Sequence, residues 1–280
     1  MFGSISNYEN KFFITGQQVI GIESIDINYS NSPTVNKILG STKGLTTIGG
    51  VTQQKLSITR NLIYNDPLLS YTGLSNITGG INYNDKSYRF NSGYLDEYMV
   101  NCAIGAIPKV TTNITVYDEM QTGIQFTDSN SIPTILIPNQ GSISVTCDNS
   151  TTNRVIGFDY AIKAYRKPMY TIGSLFPSEI VSFPVLEYAS SVQIDIDDAF
   201  LQSGLSFLKN RENKSISFII NGRDGSLIQT LSIPNASLVG ESLSSSADGG
   251  VKLTLNYIGH SWVLFTIEIG ILVEFLEFHH

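Results

Sequence analysis

The sequence predicts a mainly β protein, two similar β-sandwich or half-barrel units in tandem, each carrying a short helix. Three observations predict it. Ile, Val, Tyr, Phe and Thr are abundant while Ala and Glu are scarce, a mixture that suits pleated strands. Short alternating segments recur between Gly-, Pro- and Asn-rich turns. A long-period self-similarity runs along the chain. Val19-Ile20-Gly21 leads to Tyr29 and Pro33, as Val155-Ile156-Gly157 leads to Tyr165 and Pro168. On the same pattern Lys55–Thr59 matches Val192–Ile196, and Thr112–Tyr117 matches Lys252–Tyr257, so that the offsets run from 135 to 140 residues. This division places a first unit over residues 1–126, a second over 127–260 and an apolar extension over 261–280.

The elements follow in order. Phe12 to Tyr29 reads as one long strand or a hairpin broken at Gly16-Gln17, ended by Asn31-Ser32-Pro33. Gly40 to Gln54 has little pattern and reads as an extended loop. Gln54 to Leu62 alternates as a strand. Asp66 before Pro67 predicts a short helix, because an aspartate side chain caps the first free N–H groups and proline lacks one to cap. Ile77–Tyr83 and Lys86–Phe90 predict a hairpin, and Tyr94–Ile104 pairs with Val110–Tyr117. Met120 to Ser131 reads as the linker, and strand character resumes at Thr134–Pro138 and Ser142–Val145.

In the second unit a strand from Val155 to Tyr165 ends at Lys167-Pro168, and Phe176 to Pro184 reads as a loop. Ser191 to Ile196 is a strand. Asp197 to Leu208 predicts a helix with Phe200, Leu201, Leu205 and Leu208 on its apolar face. Ser215–Ile220 and Leu227–Ile233 flank the hairpin turn Asn221-Gly222-Arg223-Asp224-Gly225, and Val251–Ile258 closes the unit. Trp262 to Phe278 is apolar but holds Glu268, Glu274 and Glu277, which argues against a membrane span. Such an alternating segment calls for cover by its own chain or a neighbour.

The composition excludes several function classes. Charged residues form only 15 % of the 280, and the net charge is -7 with a pI near 4.9, so no basic surface for nucleic-acid phosphates is expected. Cys102 and Cys147 are too few for a disulfide framework; one bridge between the units is open to them but unforced, and two free thiols are the simpler reading. The six Asn-x-Ser/Thr sequons, beginning at Asn28, carry no glycosylation signal without a leader, and no leader pattern is visible at Met1–Asn10. The histidines are His260, His279 and His280, leaving almost all of the chain without the commonest general base and metal ligand. Asp195-Ile196-Asp197-Asp198 is the densest acidic cluster. It lacks the glycine and ligand ladder of a calcium loop and reads as a strand end followed by a helix cap. Gly40-Ser41-Thr42-Lys43-Gly44 lacks the spacing of a phosphate loop. No catalysis, cofactor or metal is expected.

Two segments carry a family resemblance. Arg89-Phe90-Asn91-Ser92-Gly93-Tyr94-Leu95 leads through Tyr98-Met99-Val100 and Ala103–Pro108 into the strand Val110–Tyr117. Leu231-Ser232-Ile233-Pro234-Asn235-Ala236-Ser237-Leu238 leads through Asp248-Gly249-Gly250 into Val251–Tyr257. The pattern resembles the tail tube proteins of long-tailed bacteriophages, over residues ~12–120 and ~133–260. The resemblance implies tail-tube-like domains with one flanking helix, assembled into six-part rings around a lumen and stacked through a long loop. The helix Asp197–Leu208 and the loops Gly40–Gln54 and Gly173–Pro184 fall where the family places its helix and stacking loop. With two units per chain, a homotrimer would mimic a hexamer. Lumen-facing positions would be Glu23, Asp26, Asp159 and Asp195, and inter-ring contacts would come from Lys43, Leu45, Ile48 and Val51.

DNA would pass through such a tube without specific binding, since duplex carries one negative charge per ~1.7 Å and an acidic wall limits sticking. The implied partners are further copies of the chain and other tail proteins (tape measure, terminator and distal tail), with no membrane. The place would be the virion, after synthesis in the bacterial cytoplasm. Alternatives from the residues are a tail adaptor or distal hub, a carbohydrate-binding β-module using exposed Tyr and Asn, and a hydrolase built on the acidic cluster.

Overall fold

The structure is a computed structural model that describes residues 11–30, 34–36, 45–47, 53–73, 76–83, 86–123, 134–147, 150–196, 214–246 and 249–262. It is mainly β. Strands β1 (Lys11–Ile14), β2 (Gln17–Val19), β3 (Ile22–Ser30) and β6 (Gln53–Asn61) precede a 3-10 helix at Pro67–Tyr71. Strands β7 (Ile77–Tyr83), β8 (Lys86–Ala103), β9 (Lys109–Val116) and β10 (Gln121–Gly123) follow it. Then come β11 (Pro138–Cys147), β12 (Ser150–Thr152), β13 (Val155–Met169), β14 (Glu179–Ile196), β15 (Lys214–Gly222), β16 (Leu227–Ser246) and β17 (Gly249–Trp262). All of these strands share one open antiparallel sheet, while β4 (Thr34–Asn36) and β5 (Leu45–Thr47) pair separately.

Local chemistry sets several elements, and the hairpin break expected at Gly16-Gln17 falls one residue earlier. Thr15 and Gly16 both have positive φ, the requirement of the two-residue hairpin turn that joins β1 to β2. Asp66 accepts from the Leu68 N–H at 3.0 Å and caps the 3-10 helix. Other expectations need correction. Lys86–Phe90 and Tyr94–Ile104 are one strand, β8, because antiparallel partners on both edges hold the chain extended through the Asn91-Ser92 bulge. Gly40–Gln54 is not all loop, since Leu45–Thr47 is a strand and Gln53-Gln54 begin β6. Thr134–Ile137 has no strand, and β11 starts at Pro138.

Prolines 168 and 184 do not interrupt their strands either. Pro168 lies opposite Ile180 within β13. Pro184 lies inside β14, where the register passes from Ala164 opposite Leu186 to Arg166 opposite Ser182. The bulge leaves Pro184 without a ladder position, which is where a residue lacking an N–H is tolerated. The predicted loop at Phe176–Pro184 therefore ends at Ser178. The helix expected at Asp197–Leu208, the 126/127 boundary and residues 263–280 lie outside the described residues.

The strand order is the same in the two halves. β2-β1-β7-β8-β9-β6-β3 in the first corresponds to β12-β11-β15-β16-β17-β14-β13 in the second. The registers also coincide. A shift of 133 carries the pair Phe12–Val19 onto Val145–Thr152. A shift of 143 carries the bulge Leu95–Ile114 to Glu97–Asn113 onto Leu238–Tyr257 to Gly240–Asn256. Two more bulges match: Ile22–Arg60 to Ser24–Thr59 falls on Val155–Ile194 to Gly157–Gln193, and Ile77–Gly93 to Gly79–Phe90 on Lys214–Ala236 to Ile216–Ile233.

These registers correct the sequence matches. Val19 corresponds to Thr152 and Ser24 to Gly157, so the Val-Ile-Gly match is three residues out. Leu56 corresponds to Ser190, and Thr112 to Leu255. By contrast, Phe90–Leu95 and Ile233–Leu238 do occupy equivalent places.

At those places β8 and β16 carry bulges and change pairing partners. The first part of β8 pairs with β7, and its later part with β9 and β13. Phe12, Ile14, Ile77 and Ile81 share one core cluster with Leu56, Ile58, Val110 and Ile114. The core cluster continues through Phe158, Tyr160, Val192, Phe218, Ile233 and Leu255, so both halves share it. No described helix is long and apolar enough to cross a membrane.

Candidate assembly surface

Alternation sets the surface. Along β6 the even positions Gln54, Leu56, Ile58 and Arg60 are buried, and along β14 so are Leu186, Ser190, Val192 and Ile194. The odd positions therefore line the opposite face. Registered neighbours carry that face across seven strands, from Asp26 through Ser57, Asn113, Glu97, Lys163 and Glu187 to His260. Its side chains bond to one another. Ser57 donates to Asn113 at 2.8 Å, Asn113 to Glu97 at 2.9 Å, and Lys163 pairs with Glu97 at 3.3 Å. A hollow of about 570 Å³ lies over this face, lined among others by Thr59, Met99, Thr111, Asp159, Ala189 and Asn256.

Glu23, Asp26, Asp159 and Asp195 all lie on this face. Glu23 pairs with Lys109 at 2.7 Å and accepts from Asn61 at 3.2 Å. The Lys109 hydrogen bond holds its carboxyl below the usual carboxylate range. Asp159 accepts from Asn101 across the β8–β13 seam. Asp26 corresponds to Asp159 under the register, a relation the sequence matches missed because their offset was wrong. Asp195 lies opposite Lys252. Carboxylates outnumber lysines here, but Lys55, Lys109, Lys163 and Lys252 are interleaved, so the face is mixed rather than uniformly acidic. Of the positions assigned to inter-ring contact, Leu45 lies in β5, and Lys43, Ile48 and Val51 lie outside the described residues.

Two polar knots tie the halves beneath the face, and sequence reading missed both. Arg60 pairs with Asp66, both side chains 1 % exposed, and donates to Thr112 at 3.2 Å. Tyr98 donates to Asp66 at 2.8 Å, and the Asp66 N–H reaches Gln229 of β16 at 3.1 Å. Burial and then Asp66 push the Tyr98 hydroxyl well up; burial opposes the Arg60 charge, but Asp66 together with Tyr98 and Tyr64 raises that pKa. Arg166 of β13 donates to the Leu95 carbonyl at 2.8 Å, to Asp96 at 3.0 Å and to the Gly73 carbonyl, and lies 5.0 Å over the Tyr94 ring. The local signals for the first knot were the Asp66 cap and the parity that sets Arg60 on the face of Leu56 and Ile58; its partners were not legible.

Cys102 is a buried free thiol, and burial pushes it up to about 11. Among the described residues no group of three or more His, Cys, Asp or Glu is placed to hold a metal ion. No family model matches the chain, and no curated protein matches it.

Proposed function

We propose that this chain is a structural protein of a long-tailed phage tail tube, three copies forming a ring of six similar units around a channel for DNA. The supporting observation is the repetition of one seven-stranded unit, with the same registers and bulges, joined edge to edge within the chain. Repeated units linked through strand edges continue until the edges close. The face opposite the core is the channel wall on this reading, with Asp26 and Asp159 at equivalent stations. The mixed charge suits passage rather than grip, since binding duplex calls for clustered lysine and arginine. Location in the virion and contacts with other tail proteins follow from the same reading.

Negative-stain microscopy of the purified protein tests it. Rings or stacked tubes with an open centre are expected, with masses in solution in multiples of three chains. A compact monomer at high concentration refutes the reading, and rings of six identical chains refute the trimer.

A further inference from the structure

We propose that copies of this chain join by antiparallel pairing of β3 of one copy with the C-terminal half of β16 of the next, in a defined register. Ser24 stands opposite Ser246, and the pairing runs to Tyr29 opposite Glu241. The inference deepens the ring reading and rests on it for closure alone. The pairing itself rests on the seam inside the chain.

That seam joins β13 to the later part of β8, from Gly157 opposite Ala103 to Lys163 opposite Glu97. The matched registers make β3 the counterpart of β13 and β16 the counterpart of β8. Among the described strands, β3 pairs with β6 alone, and Glu241–Ser246 pair with β17 alone. The chain thus presents, at opposite ends of its sheet, the two edges that its own middle has already joined. Carrying the seam over by the same shifts gives the register stated.

Exposure supports the same register independently. Within the seam Tyr160 and Val100 lie opposite each other, 2 % and 1 % exposed. Their counterparts are Ile27 and Leu243, 45 % and 61 % exposed. These two exposed apolar side chains fall directly opposite each other in the proposed joint. Tyr29, counterpart of buried Ile162, is likewise exposed. A slip of one residue would turn Ile27 and Leu243 to different faces. On the polar face Asp26 meets Ser244 and Asn28 meets Ser242, so no like charges oppose.

The occupant is a second copy because its edge is the one whose counterpart already fits. The interface is head-to-tail, leaving a free β3 and a free β16 at the ends of any open chain, so it closes into a ring or runs on as a filament.

Two single variants, N28C and S242C, mixed under mild oxidation, test the register. A disulfide-linked dimer is expected from this mixture, since directly opposed strand residues meet the Cα separation a disulfide needs. Mixing N28C with S245C, whose side chain faces the other way, should give none. Equal linkage in both mixtures, linkage of Asn28→Cys chains to themselves, or linkage closing within one N28C/S242C chain overturns the joint.

A charge exchange gives a second measurement. I27K should lose assembly by light scattering at concentrations where the unaltered protein associates, and I27K/L243E should regain it. Full assembly of I27K overturns the proposal. If I27K misfolds by circular dichroism, the cross-links decide alone. In-register links without tubes in the microscope keep the joint and remove the tail-tube reading; tubes without in-register links do the reverse.

Discussion

The Arg60 guanidinium and the Asp66 carboxylate form an ion pair with both side chains 1 % exposed, and Tyr98 and Thr112 complete its hydrogen bonds. Burying two charges is costly, and leaving one without its partner is costlier still. Replacing Arg60 with Met should therefore lower unfolding free energy by about 3–5 kcal/mol. Tyr98→Phe, which removes one hydrogen bond to Asp66, should cost about 1–3 kcal/mol. Denaturant midpoints check both, and an unchanged midpoint for R60M would show that the pair contributes nothing.

Gly93 and Phe90 supply a second test. A Cβ at Gly93 would stand 2.5 Å from the Phe90 ring and 3.1 Å from the Ile77 carbonyl. G93A should cost about 1–3 kcal/mol by overpacking. In the other half the same places hold Ala236 and Ile233. The double variant F90I/G93A, which copies that pair, should recover part of the loss. Calorimetry reads the difference, and a double variant weaker than both singles would break the equivalence of the two bulges.

Alkaline pH should unfold the protein in steps. Burial holds Cys102 up at about 11 and Tyr117, by burial and then Asp96, at about 12. A raised folded-state pKa gives stability fully present below the unfolded value and lost as pH rises through the folded one. The cysteine contribution should fade from about pH 8.5 to its folded value, and the tyrosine contribution from about pH 10 upward. Urea midpoints across this range should fall, and C102A should flatten the first part of the slope. A slope unaltered by C102A would remove the thiol from the account.

Arg166 makes the fourth case. Its side chain is 1 % exposed and holds two carbonyls of the other half, those of Leu95 and Gly73. Arg166→Met should cost about 1–3 kcal/mol by leaving them unpaired, whereas Asp96→Asn, at a side chain 34 % exposed, should cost less. Comparing the two midpoints separates carbonyl bonding from charge pairing; equal losses would mean that the ion pair dominates.

The strands, the Asp66 cap and the hairpin turns were legible because each depends on residues a few places apart. Alternation along Gln54–Leu62 marks a half-buried strand, and an aspartate before proline marks a helix start. Pro184 misled for the same local reason, since a proline reads as a break until a bulge is seen to take it in. Glu23 and Asp26, three residues apart on β3, share a face only because a bulge lies between Ile22 and Ser24, and bulges are not legible in the sequence. The partners of Arg60 and Arg166 were not, because contacts between distant strands leave no spacing in the chain.

By itself the sequence determined a mainly β protein, since period-two alternation and β-branched composition act locally, strand by strand. It also held a long-period self-similarity, but letters such as Val-Ile-Gly drift against the backbone frame. Only the tertiary structure decided the correspondence, Val19 with Thr152 and Leu95 with Leu238, because hydrogen-bond register and bulges are properties of paired strands. It also decided that β8 and β13 meet as edges, leaving β3 and the end of β16 each with one edge that no described strand pairs. No segment read alone carries that information, since an edge exists only where a neighbour is missing.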